Sequence, residues 1–92
     1  MKVRRTEPAA RDLTQICDYL GEQGNPGAAR RVAMAIVEMA GSLARLPERG
    51  RIGRKAGTRE LILTNLPYLV IYHDRGGVLE VLRILHGAQK WP

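Results

Sequence analysis

Arg59, Arg83, His86 and the cations of the loop before Arg59 have side chains able to move a proton or balance charge on a phosphate. Cleavage of RNA at a ribose 2′-hydroxyl needs a base, an acid and cations facing the charge that develops on phosphorus, and no metal. His86, with an ordinary pKa of about 6.5, exchanges a proton near neutral pH. A single histidine at the end of an apolar run equally suits a structural role. Arg83 stands inside the apolar run Val81-Leu82-Arg83-Ile84-Leu85, where a cation must find a partner, reach water or line a polar cleft. Cys17 falls on an apolar helical stripe and reads as packing rather than as a nucleophile, since no Cys/His or Ser/His/Asp spacing accompanies it. One cysteine makes no internal disulfide and completes no zinc site. Gly50, Gly53 and Gly57 lack the strand-to-helix setting of a phosphate cradle, so neither metal nor cofactor is expected.

Binding chemistry is better represented. Fifteen Lys and Arg against nine Asp and Glu give a net charge of +6, and twelve of the cations are arginines. From Arg45 to Arg59, the cations Arg45, Arg49, Arg51, Arg54, Lys55 and Arg59 face Glu48 alone, which accounts for five of the six net charges. A patch of this kind favours a polyanion or an acidic protein segment. Tyr68 and Tyr72 share one strand face, where they can stack on bases or fill a core. Trp91 reads as an anchor at the domain edge.

The elements that must position these groups are legible. Ninety-two residues, 45% of them apolar and 26% charged, make one domain over 1–92, too hydrophobic to stay disordered. No apolar run is long enough for a membrane span and no secretion signal opens the chain, so a cytoplasmic location is expected. Lys2 to Arg5 is a short strand, and Thr6 with Pro8 signals a helix start. Leu13, Ile16, Cys17 and Leu20 form its apolar stripe, which ends near Gly21 or Gly24. Asn25-Pro26 opens a second helix that carries Val32, Ile36, Met39 and Leu43 and stops at Pro47. An exposed loop, Glu48 to Gly57, leads to three β-rich runs: Arg59 to Thr64, Pro67 to His73 and Val78 to His86. The expected fold is α+β, in the order β-α-α-β-β-β, with a helical hairpin on one face of an antiparallel sheet.

Tyr68-Leu69-Val70-Ile71-Tyr72 is apolar on both parities, so both faces of the sheet ask for cover while the hairpin lies on one. A partner segment over the second face is the sharper expectation. The alternative is that the 48–57 loop and Trp91 fold over it.

Taken together, Val3-Arg4-Arg5-Thr6-Glu7-Pro8-Ala9 and Arg11-Asp12-Leu13 entering the first helix, Asn25-Pro26, Leu46-Pro47 with Gly50-Arg51, Gly57-Thr58-Arg59-Glu60-Leu61, Pro67 to Tyr72 and Leu82 to Gln89 resemble the RelE/ParE superfamily of type II toxin–antitoxin toxins, and its ParE-like branch in particular. The resemblance spans almost the whole chain and implies the same element order. It also implies a cognate antitoxin whose acidic, amphipathic C-terminal segment wraps the toxin, for which Tyr68, Val70, Tyr72, Arg51 and Arg54 are the expected contacts. ParE-like members inhibit DNA gyrase; RelE-like members cleave mRNA on the ribosome, using among other groups an arginine that follows the tyrosine of the third strand. Here Leu69 follows Tyr68, which removes one nuclease part and favours gyrase inhibition, with Arg83, His86 and Trp91 expected at the target. The alternative is a ribosome-dependent endoribonuclease using Arg59, Arg83 and His86. A non-toxic basic module that merely binds nucleic acid is the third reading. Growth arrest and plasmid stabilization belong to the roles that the resemblance implies.

Overall fold

The computed structural model describes residues 1–87, 89 and 91. Strand β1 (Lys2–Arg5) is followed by helices α1 (Glu7–Glu22) and α2 (Pro26–Ser42), then β2 (Arg51–Ile52), β3 (Arg59–Ile62), β4 (Tyr68–Arg75) and β5 (Val78–His86). The strands form one sheet in the order β1-β5-β4-β3-β2. The expected hairpin on a sheet is present, with two differences. The loop after α2 contains a two-residue strand, and β1 runs parallel to β5, so the sheet is mixed rather than antiparallel. The parallel pairing needs a crossover from β1 that carries both helices across one face before the meander begins.

Local chemistry explains the boundaries. The Thr6 hydroxyl accepts from the Ala9 N–H at 3.3 Å and donates to the Leu82 carbonyl at 3.0 Å, so it both caps α1 and ties it to β5. The Asn25 side chain accepts from the Ala28 N–H at 3.1 Å and starts α2. Between β4 and β5 the turn is Gly76-Gly77, with φ of 60° and 85°. Two successive positive φ values define the tight hairpin turn that glycine adopts without steric cost.

The helices cover one face. Leu61, Leu63, Val70, Tyr72, Leu79, Val81 and Ile84 pack there with Ala9, Ile36, Ala40 and Leu43. Val81 and Ile84 are three apart and yet share this face, which strict alternation forbids. A register shift opposite Ile71 and Tyr72 resolves the conflict: Ile71 faces Arg83 whereas Tyr72 faces Val81, leaving Leu82 as the extra residue of a β-bulge.

Tyr72 is 2% exposed, and its hydroxyl accepts from the Gly50 N–H at 2.8 Å and donates to the Pro47 carbonyl at 2.7 Å. One side chain thereby fixes the start of the basic loop. A Cβ at Gly50 would lie 2.8 Å from the Tyr72 ring and hydroxyl, so only glycine permits this approach. Tyr72→Phe leaves the Gly50 N–H without its partner and is expected to cost about 1–3 kcal/mol of stability by urea denaturation, with the fold retained.

Candidate functional site: the sheet ends and edges

The buried charges lie mostly on the face away from the helices, and they explain where several cations go. Glu60 and Glu80 are 9% and 6% exposed. In register, Arg51 of β2 faces Glu60 of β3, and Arg4 of β1 faces Glu80 of β5. Arg51 donates to Glu60 at 2.8 Å and Arg4 to Glu80 at 2.9 Å, so each outer strand is pinned by an arginine to a carboxylate on its neighbour. The Arg51 hydrogen bond holds the Glu60 carboxyl below the ordinary carboxylate range, against the upward pull of burial. Hydrogen bonds from His73, at 2.9 Å, and from Arg4 lower Glu80 likewise.

Arg83 is also paired. Its guanidinium grips Asp12 of α1 through two bonds, of 2.7 and 2.9 Å, and the same carboxylate accepts the Ile84 N–H at 2.9 Å. Asp12 raises the pKa of Arg83 further above its ordinary value. Arg59 donates to the Gly50 carbonyl at 2.9 Å and bends the basic loop back onto β3. His86 is exposed at the end of β5, its ring edge-on to Tyr68 with centroids 5.8 Å apart. A cleft of about 430 Å³ opens beside this pair, between α1 and the sheet end, lined by Asp12, Gln15, Tyr19 and Pro67 among others. Burial raises the Tyr68 phenol above its ordinary pKa, helped by Tyr19 and Cys17.

The expected nuclease trio is not brought together. Arg59 lies opposite Tyr72 and His86 opposite Tyr68, four residues away along β4 and on the strand flanking its other side. At about 3.3 Å per residue and 4.8 Å per strand spacing, their backbones are on the order of 16 Å apart. Buried Val70 and Ile84 fill the space between them, and Arg83 is turned to Asp12. Among the described residues no group of three or more His, Cys, Asp or Glu could hold a metal.

The expected partner-binding residues also need correction. Val70 and Tyr72, at 0% and 2% exposure, lie in the core under the helices and offer a partner no surface. Alternation puts Ile71, not Tyr72, on the second face. Arg51 is engaged by Glu60 but still exposed, Arg54 is exposed, and Tyr68 is half-buried. Nor is the second face bare. Ile71 and Leu85 lie outside the helix-side core and are 0% and 2% exposed. The Lys55 ammonium sits 5.9 Å above the Trp91 ring, so the tail that leaves β5 meets the β2–β3 loop beyond β4 and β3. The Lys55–Trp91 contact brings together the loop and the tail residue that the second expectation named for this face. Ala88, within the C-terminal run, lies outside the described residues. Sequence reasoning missed Asp12, Glu60 and Glu80; the signal for each was an acidic residue at an apolar position.

The acid limb of stability follows from the lowered carboxylates. Glu60 and Glu80 contribute stability in full above their unfolded pKa, about 4.3, and lose it as pH falls through their lower folded values. Thermal melts from pH 6 down to pH 2 are expected to show a falling Tm below about pH 4.3, with a shallower acid slope in Glu60→Gln.

No helix among the described residues is long and apolar enough to cross a membrane. Residues 3–91 match the family described as the ParE toxin of the type II toxin–antitoxin system parDE. The chain is 40% identical over 91 residues to Y4kP of Sinorhizobium fredii, which is named a toxin, covering 99% of this chain and 93% of the relative. It is 43% identical over 81 residues to Toxin RelE2 of Caulobacter vibrioides, covering 88% and 89%. Among solved structures it is similar to a chain of the chromosomal ParDE toxin–antitoxin system from P. aeruginosa, with a TM-score of 0.87 and 28% identity over 94% of this chain and 95% of that one. A chain of the toxin–antitoxin complex RelBE2 from Mycobacterium tuberculosis matches with a TM-score of 0.66, also at 28% identity, over 92% and 95%.

Proposed function

The chain belongs to the ParE toxin family of type II toxin–antitoxin systems, and from that premise we propose that it acts by binding, as an inhibitor of DNA gyrase held in check by a cognate antitoxin. The observation that carries this reading is the dispersal of the nuclease residues. Arg59 is committed to the Gly50 carbonyl, Arg83 to Asp12, and His86 stands at the far end of β4 from Arg59. A phosphoryl-transfer site needs its base, acid and cations around one reacting group. What remains available for a macromolecular target is the exposed end of the sheet at His86, the half-buried Trp91 beside Lys55, and the exposed cations of the 45–55 loop.

A second reading is favoured by one feature. His86 adjoins Tyr68 at the mouth of a cleft, and the relatives include proteins named RelE2 and RelBE2. That reading makes the chain a ribosome-dependent endoribonuclease. If it were instead a non-toxic basic module, its nucleic-acid affinity would fall steeply with salt and its expression would leave growth unchanged.

Two assays on the purified protein separate these readings. In a gyrase supercoiling assay the protein is expected to suppress supercoiling, while primer extension on message from a translation extract shows no new ends. Codon-positioned cuts that vanish in His86→Ala, with supercoiling intact, would replace gyrase inhibition with mRNA cleavage.

A further inference from the structure

Six cations stand between Arg45 and Arg59, and the structure divides them into two sets. Three are engaged within the fold. Arg51 is held by Glu60, Arg59 donates to the Gly50 carbonyl, and the Lys55 ammonium lies over the Trp91 ring. Arg45, Arg49 and Arg54 are exposed and meet no carboxylate among the described residues. Of their guanidinium groups, that of Arg49 donates to the Ser42 hydroxyl at 2.9 Å. The backbone that carries them is fixed at several points. Tyr72 holds the Pro47 carbonyl and the Gly50 N–H, and the Gly53 N–H donates to the Thr58 carbonyl at 2.8 Å. One oxygen of Glu60 takes Arg51, and the other accepts the Arg54 N–H at 3.2 Å. Cations on a braced loop lose little further backbone freedom when they bind.

The surroundings favour a polyanion over a peptide. A bound strand needs a ladder of free main-chain groups, yet β2 is two residues long and the Gly53 N–H that would extend it is turned inward to Thr58. An amphipathic helix needs a groove between elements. The hollow beside Leu46 is lined by five consecutive residues, Arg45 to Arg49, with no opposing wall from a second element. Guanidinium groups suit phosphate oxygens directly, through paired N–H donors and a charge that persists at every physiological pH.

We infer that Arg45, Arg49 and Arg54 form a contact for the phosphate backbone of duplex DNA, the DNA being the segment on which gyrase is working. The contact itself rests on the loop; the identity of that DNA rests on the gyrase reading proposed above. Base edges are not read, because three guanidinium groups on phosphates carry no sequence information.

Fluorescence anisotropy of the purified toxin with a short labelled DNA duplex tests the contact. Three phosphate contacts give a slope of about −2.7 for log affinity against log salt. The variant Arg45→Gln/Arg49→Gln/Arg54→Gln is expected to flatten that slope and to bind about tenfold more weakly or worse. Its control, Lys2→Gln/Arg30→Gln/Arg31→Gln, loses the same charge elsewhere; along α2, Arg31 and Ser42 are roughly 16 Å apart. The control is expected to keep the wild-type slope. Equal losses in the two variants report net charge alone and overturn the inference, as does a wild type without affinity for the duplex. Arg45→Gln/Arg54→Gln spares the Arg49–Ser42 bond and still lowers the slope by about 1.8, which keeps the test open should the triple variant fail to fold.

The supercoiling assay separates this inference from the gyrase reading. The loop variant is expected to need about tenfold more protein than the wild type for equal suppression, and the control variant no more than the wild type. A wild type that binds duplex through the loop and leaves supercoiling intact removes gyrase and keeps the DNA contact. A loop variant as inhibitory as the wild type removes the contact and keeps gyrase. A loop variant that retains duplex affinity but no longer co-purifies with the antitoxin assigns the loop to an acidic protein segment, and the inference falls.

Discussion

The carboxylate of Asp12 closes the part of β5 that β1 is too short to reach. Pairing with β1 ends at Arg5 and Val81, yet β5 continues to His86, and a buried N–H without a partner is costly. Thr6 takes the Leu82 carbonyl and Asp12 takes the Ile84 N–H, so the first turns of α1 replace the missing neighbour strand. Arg83 then neutralises Asp12, which would otherwise be a carboxylate 9% exposed with no countercharge. The bulge at Leu82 sits at this junction. It is what lets Val81 face the core on the β1 side and Ile84 face the core on the α1 side. Removing that clamp would loosen α1 and the end of β5 together, because Asp12 bonds both the Arg83 side chain and the Ile84 N–H.

The sequence showed what short-range chemistry dictates. Thr6 with Pro8 and Asn25 with Pro26 announce helix starts through side chains that act three residues away, and the structure contains both caps. Gly76-Gly77 marks a hairpin for the same local reason. What was not legible depends on partners distant in the chain. Arg83 and Asp12 are 71 residues apart, and Arg4 and Glu80 are 76 apart; no spacing rule connects them. Parity was the other obstacle. A strand apolar on both sides gives no sign of which face is which, so Tyr72 was placed with a partner when its hydroxyl belongs to the turn at Pro47 and Gly50. A two-residue strand such as β2 leaves no periodicity to detect.

The charge surplus looks different once the pairs are known. Three arginines, Arg4, Arg51 and Arg83, are held by buried or nearly buried carboxylates, so a share of the basic composition is structural. These pairs do not make the surface neutral. Their arginines stay partly exposed, and the long-range field still comes from a net +6. The cations with no carboxylate among the described residues are Lys2 and Arg5 at the β1 edge, Arg30 and Arg31 on α2, and Arg45, Arg49, Arg54, Lys55 and Arg59 in and just after the loop beyond α2. The β1 group and the loop group are at opposite edges of the sheet, since β1 and β2 are its outermost strands. The positive surface is therefore distributed over both edges of the sheet and α2 rather than gathered in the loop alone.

The same backbone serves toxins of more than one kind, as the structural likeness to both ParDE and RelBE2 chains makes plain, so the fold cannot by itself choose between gyrase and message. The choice belongs to a few side chains and to whether they are free to move. Arg83 illustrates the point. To reach a phosphate it would have to leave two hydrogen bonds to Asp12, and the carboxylate left behind would repel the same phosphate. An arginine built into the joint between helix and sheet is thus a poor transition-state cation, however suitable its type. His86 stands at the opposite end of β4 from Arg59, and Arg83 is held by Asp12, so neither arginine of the expected trio supplies the electrostatic half of the chemistry there. Of the residues that resemble a nuclease in sequence, Arg59 and Arg83 are, in space, fasteners of the fold.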